Sequence, residues 1–141
     1  MTDRRLELRD FAGLWLVDRQ IDDHLGSATR FVGTALLTGD DRALAYHEQG
    51  LVWVGQGPSL AASRHYNWRA EGADIVVDFA DGRPFHRFDP AGPSATAHHD
   101  CPPDRYEVAY DFTTWPDWSS HWQVRGPRKH YQMETRYCRS G

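Results

Sequence analysis

The sequence predicts an all-β fold, an antiparallel up-and-down β-barrel of about ten strands with a short N-terminal helical turn. Three observations carry this. The 141 residues hold six Trp, six Tyr and six Phe but only two Met and a single lysine, a balance that favours strands over long helices. Runs of strand length with alternating apolar residues recur along the chain, separated by Gly, Pro and Asp turn signals. No amphipathic helix of any length interrupts them. Consecutive hairpins without a long crossover favour a barrel over a sandwich, and closure removes edge strands.

The elements follow in order. Residues 1–9 are charged and read as frayed or as one helical turn, with Asp10 as a cap for a turn through Phe11 and Ala12. Gly13-Leu14-Trp15 opens the first strand, with Trp15, Val17, Arg19 and Ile21 on one face. The second strand, 29–38, aligns Phe31, Gly33, Ala35 and Leu37, and its two small residues suit close approach by a large neighbour such as Trp15. The third, 43–54, bends at Gly50 and carries Leu44, Tyr46 and Glu48 together. Gly55-Gln56-Gly57-Pro58 turns into the fourth, 60–70, with Arg64, Tyr66 and Trp68 on one side. Ile75, Val77 and Phe79 mark the fifth. Asp81-Gly82 is a hairpin signal, and 85–89 returns as the sixth. Strands follow at 95–101 and 105–112, parted by Pro102-Pro103. A Trp-rich turn at 114–120 leads to two last strands around Gly126-Pro127. The final one aligns Lys129, Tyr131, Met133, Thr135 and Tyr137.

One domain spanning 1–141 is expected from the length. The net charge of −4, with acids and bases interspersed, offers no basic stripe for nucleic acid. No apolar run is long enough to span a membrane and no leader is visible, so a cytoplasmic protein is expected. Cys101 and Cys138 read as free thiols. No cofactor is called for, and the oligomeric state, monomer or dimer, stays open.

Phe11-Ala12-Gly13-Leu14-Trp15 resembles the Gly-x-Trp opening of lipocalins and related calycin barrels. That resemblance implies a helical turn plugging the barrel floor and a basic residue near the chain end, Arg136 or Arg139, covering the Trp. The whole chain resembles a family of small bacterial proteins known as a domain of unknown function with a calycin-like barrel. Tyr46-x-Glu48-x-Gly50, Arg64-x-Tyr66-x-Trp68, Asp81-Gly82-Arg83-x-Phe85-His86, His99-x-Cys101-x-x-Asp104-x-Tyr106 and Gly126-Pro127-x-Lys129-x-Tyr131 carry that likeness. It implies a fold and brings no activity.

By alternation the apolar inner face also receives Arg19, Glu48, Arg64, His99, Cys101 and Lys129. Buried charges must pair or line water. One reading is internal pairing, such as Glu48 with Arg64. The other is a cavity for a small apolar-plus-anionic molecule, with Arg19, Tyr46, Glu48, Arg64, Tyr66, Trp68, His86, Lys129 and Tyr131 as its ligand-binding residues. An enzyme in the same cavity, an isomerase, cyclase or hydrolase, would use His99 with Asp104, Tyr106 or Cys101 for proton transfer or nucleophilic attack. Haem or metal binding would rest on His86 or His99, with Cys101, Asp104 or His65 in support, but the spacing matches no standard zinc motif. The plainer alternatives are a packed Cys101, a His99 bonded to Asp104 or a Tyr, an Asp104 that caps its turn, and a solvated Lys129. Trp115 and Trp118 read either as a lid or as packing over the barrel end. His47, His65, His121 and His130 fall on outward faces.

Overall fold

Ten strands follow a single 3-10 turn in a computed structural model that describes residues 5–140. The turn is η1 (Leu8–Phe11), and the strands are β1 (Gly13–Asp23), β2 (Thr29–Gly39), β3 (Ala43–Val54), β4 (Leu60–Glu71), β5 (Asp74–Phe79), β6 (Pro84–Phe88), β7 (Ser94–Cys101), β8 (Asp104–Asp111), β9 (Trp118–Gly126) and β10 (Lys129–Arg139). They form one antiparallel sheet in the order β6-β5-β4-β3-β2-β1-β10-β9-β8-β7. The first and last strands of the chain pair, Trp15 opposite Arg139, which curls the meander into a nearly closed barrel.

The barrel is nearly but not fully closed. β6 and β7 share no ladder. β6 has only five residues, its pairing with β5 shifts register at Val77/Asp78, and Pro84, Pro90 and Pro93 lack backbone donors. Side chains bridge the seam instead. Phe85 meets His99 edge-on at 5.3 Å, and His86 Nε2 lies 2.7 Å from the Tyr110 hydroxyl.

The floor explains the Gly-x-Trp opening. Phe11 and Trp15 are fully buried, and Trp15 Nε1 donates to the Phe11 carbonyl at 2.9 Å. Arg139 lies 3.8 Å above the Trp15 ring and donates to the Ala12 and Asp10 carbonyls at 2.6 and 2.7 Å. A side chain at Gly13 would sit 2.8 Å from that guanidinium, and its φ of +114° already favours glycine. Arg139, not Arg136, therefore covers the Trp. Asp10 is not the cap residue expected. It lies inside the turn and accepts from the Glu7 amide at 2.7 Å in a reciprocal capping box. Of the stretch expected to fray, residues 1–4 lie outside the described residues, while Leu6 and Leu8 join the core. Trp115 and Trp118 form no exposed lid. Both pack on Phe11, at 5.1 and 5.3 Å, and on Trp15.

Gly33 serves a different contact from the one expected. It pairs with Val17 and Gly50, and a Cβ there would come 2.7 Å from the Gly50 Cα. The two glycines let β2 and β3 approach where the sheet bends. Ala35, opposite Trp15, is fully buried.

Candidate functional site

Strand register sorts the inward side chains into layers. On β4 they run Arg64, Tyr66, Trp68 from mouth to floor. On β10 they run Tyr131, Met133, Thr135, Tyr137, and on β9 Val124, Trp122, Ser120, Trp118. Successive inward positions lie about 6.7 Å apart along a strand. The floor layer is packed solid by Phe11, Trp15, Phe88, Phe112 and Trp118. Above it the rings stand back and leave a cavity of about 560 Å³. Tyr66, Phe79, Phe85 and Trp122 form much of its wall. Arg64, Arg83 and Cys101 mark its exposed rim.

The central polar element is an ion pair on Glu48, with Arg19 as the close partner and the expected partner, Arg64, at the outer limit of pairing. Arg19 holds Glu48 through two contacts of 2.7 Å, Nη1 to Oε2 and Nη2 to Oε1. Its Nε donates to Thr135 Oγ1 at 2.8 Å, and the Tyr46 hydroxyl donates to Glu48 Oε1 at 2.6 Å. Arg64 Nε stands 4.0 Å from Glu48, too far for a hydrogen bond. Arg19 reaches Glu48 across β2 because the β2 residue facing inward between their levels is Gly33. Burial is the largest single influence and opposes charge on both partners, but hydrogen bonds and charge attraction together outweigh it. Arg19 is held above its ordinary value and Glu48 below the usual carboxylate range.

His86 is buried, and burial, helped by His99, pushes its imidazole down to about 3. Its Nδ1 has no hydrogen-bond partner among the described residues, and neither has Trp118 Nε1. Burial raises the Tyr110 and Tyr46 hydroxyls well above their ordinary value.

Of the residues singled out from the sequence, Arg19, Tyr46, Arg64, Tyr66, Trp68, His86, His99, Cys101, Tyr106 and Tyr131 line the cavity. Glu48, Asp104 and Lys129 do not. Glu48 sits behind Arg19. Lys129 donates to the Tyr106 hydroxyl at 2.9 Å and pairs with Asp104 at 3.2 Å, so its ammonium is engaged by two groups of the protein. Asp104 thus pairs with Lys129 rather than with His99. His99 packs on Phe79, Phe85 and Tyr106. His65 stacks outside on His47 at 4.2 Å. Among the described residues no three His, Cys, Asp or Glu side chains meet at metal-binding spacing. Both cysteines are exposed and free.

Sequence reasoning missed Ser120, Tyr110, Trp118, Phe85 and Arg83 as lining residues. The available signal was alternation. Trp118, Ser120, Trp122 and Val124 continue one face back to Trp118, whereas the turn was extended through Ser120.

Fold and site define a nearly closed antiparallel barrel around one aromatic-walled cavity. The chain belongs to the family of unknown function DUF6314, whose model matches residues 11–139. No curated protein matches the sequence. Among solved structures it is similar to the S-type phycobiliprotein lyase CPES from Guillardia theta, with a TM-score of 0.68 and 9% identity over 94% of this chain and 90% of that one. It is also similar to a protein of unknown function from the DUF3598 family of Nostoc punctiforme, with a TM-score of 0.54 and 10% identity. That likeness covers 94% of this chain and 48% of that one, so this chain spans about half its length. No helix of the described residues is long and apolar enough to cross a membrane.

Proposed function

We propose that this protein holds a small organic molecule inside its barrel. The observation behind the reading is the cavity of about 560 Å³, walled by aromatic rings and reached from a rim of exposed polar side chains. That volume falls within the range of small-molecule sites. A barrel filled only for stability closes its interior with side chains, as this one does at its floor. The likeness to a phycobiliprotein lyase concerns the fold alone and lends no substrate.

The test uses the neutral fluorophore N-phenyl-1-naphthylamine. It should bind the purified protein with saturable one-to-one stoichiometry. Met133→Trp, which fills the cavity, should abolish binding while the far-UV spectrum stays native. Absence of saturation in the wild type would defeat the reading. Native mass spectrometry of fresh protein should also reveal any co-purifying organic mass.

One observation favours a second, catalytic reading. Tyr106 lines the cavity while its hydroxyl accepts from Lys129, so a proton donor of known geometry faces the enclosed space. Tyr106 would then transfer the proton and Lys129, backed by Asp104, would position it. His99 and Cys101 share no hydrogen bond with that group among the described residues. Tyr106→Phe would separate the readings, since a catalyst loses turnover and keeps binding.

A further inference from the structure

Charge accounting says what kind of molecule the cavity takes, given that it takes a small molecule at all. The interior holds one arginine, Arg19, and one carboxylate, Glu48, and a second arginine, Arg64, stands at the mouth. Glu48 is engaged by Arg19 through two contacts of 2.7 Å and by Tyr46, which leaves Arg64 with a 4.0 Å approach and no hydrogen bond among the described residues. The other cations near the rim have their own acids: Arg83 meets Asp81 at 2.7 Å and Lys129 meets Asp104 at 3.2 Å. Among the described residues these cavity groups therefore sum to one net positive charge, and the less engaged cation is Arg64, 4.0 Å from Glu48 with its side chain 44% exposed at the mouth.

The deep end is neutral but polar. Arg19, Thr135, Ser120 and Tyr110 occupy one continuous row across β1, β10, β9 and β8. Arg19 and Thr135 bond each other, and Tyr110 bonds His86. Ser120 is 3% exposed, lines the cavity, and has no side-chain partner among the described residues. The unpartnered atoms of His86 and Trp118 are sealed within the packing, whereas the Ser120 hydroxyl is not among the sealed ones. Between mouth and row Phe85 stacks on three neighbouring rings, of which Tyr66 and Phe79 are tilted 45° to each other. Phe85 lies 16° from Trp122, 19° from Phe79 and 26° from Tyr66, at centroid separations of 5.2, 4.5 and 5.8 Å. Such a wall favours a flat conjugated ligand over a branched one.

We propose that the cavity takes a flat aromatic monoanion, its carboxylate on Arg64 at the mouth and a neutral hydroxyl or carbonyl on Ser120 in the depth. One net charge asks for one negative charge, and a planar guanidinium suits a carboxylate. The reverse orientation would place the anion against a row whose only cation is already neutralised by Glu48.

The probes are 6-hydroxy-2-naphthoate, its neutral methyl ester, and 2-naphthoate, titrated by calorimetry beside N-phenyl-1-naphthylamine. The wild type should bind the hydroxynaphthoate about tenfold more tightly than the ester. Arg64→Gln should remove that preference and weaken the hydroxynaphthoate about tenfold more than it weakens N-phenyl-1-naphthylamine. Ser120→Ala should bring the hydroxynaphthoate and 2-naphthoate to equal affinity without touching the preference over the ester. An ester that binds as well as the acid, or a preference that survives Arg64→Gln, overturns the proposal. The reading of the barrel as a small-molecule holder then still stands on the neutral fluorophore. If the neutral fluorophore fails to bind as well, both fall together.

Discussion

At the scale of single residues, the buried Arg19–Glu48 pair governs what the interior tolerates. Glu48 is 1% exposed and Arg19 5%. Removing one partner leaves the other charged and buried without its counter-ion, at a cost of about 3–5 kcal/mol. Arg19→Met should therefore lower the urea midpoint sharply, and Arg19→Met with Glu48→Leu should restore most of it. Equal losses in the single and double variants would mean that packing, not charge, holds this region. His86 makes a second, independent demand. The unfolded chain protonates it near its ordinary value of 6.5, while the folded chain resists to about 3. Its contribution is whole above 6.5 and falls by about 1.4 kcal/mol per pH unit as the pH drops towards 3. Glu48 acts in the same direction at lower pH, since its folded value lies below its ordinary 4.5. Stability measured by urea from pH 7 to 5 should thus decline, and His86→Gln should flatten that decline. Inward alternation made Arg19, Glu48 and Arg64 legible as a group. Which arginine takes the carboxylate was not, because that depends on Gly33 clearing the path across β2.

Among the elements, the floor is where local sequence and tertiary packing agree most closely. Gly13, Trp15 and Arg139 form one unit although 127 positions separate the Ala12 carbonyl from the guanidinium that caps it. Arg139→Ala deletes two hydrogen bonds and the ring contact, and should cost about 1–3 kcal/mol. Trp15→Ala opens a cavity in a fully buried site and should cost about 3–5 kcal/mol. Chemical denaturation of both variants checks the order. An Arg139→Ala loss as large as that of Trp15→Ala would mean that the guanidinium closes the floor by itself. Period-two alternation and turn dipeptides marked every strand. Their ends shifted by up to three residues, most visibly at Trp118, where Pro116 and the surrounding tryptophans masked the pattern and β9 begins inside the apparent turn. The same masking hid Ser120.

Across the whole molecule, the unpaired β6 and β7 edges set where the barrel gives way. Every other neighbouring pair shares a ladder, so only this seam depends wholly on side chains. The seam also bounds the cavity, because Phe85 and His86 on one side and His99 and Cys101 on the other all line it. A ligand between these walls ties together what the backbone leaves apart. Where the gap falls was not legible in the sequence for a physical reason: a register shift at Val77/Asp78 and a short strand are invisible to alternation, which reports faces and not partners. Amide exchange in the ligand-free protein should be fastest in β6 and β7 and slowest in β2 and β3. Tyr110→Phe, which deletes the 2.7 Å contact with His86, should speed β6 exchange further and leave β2 untouched. At a free ligand concentration a hundredfold above its Kd, bound N-phenyl-1-naphthylamine stabilises the folded chain by about 2.7 kcal/mol. If it occupies the cavity bounded by the seam, the slowing should appear first in β6 and β7. Uniform slowing over all ten strands would instead mark the seam as already rigid, and the route into the cavity would then run through the Arg64 mouth alone.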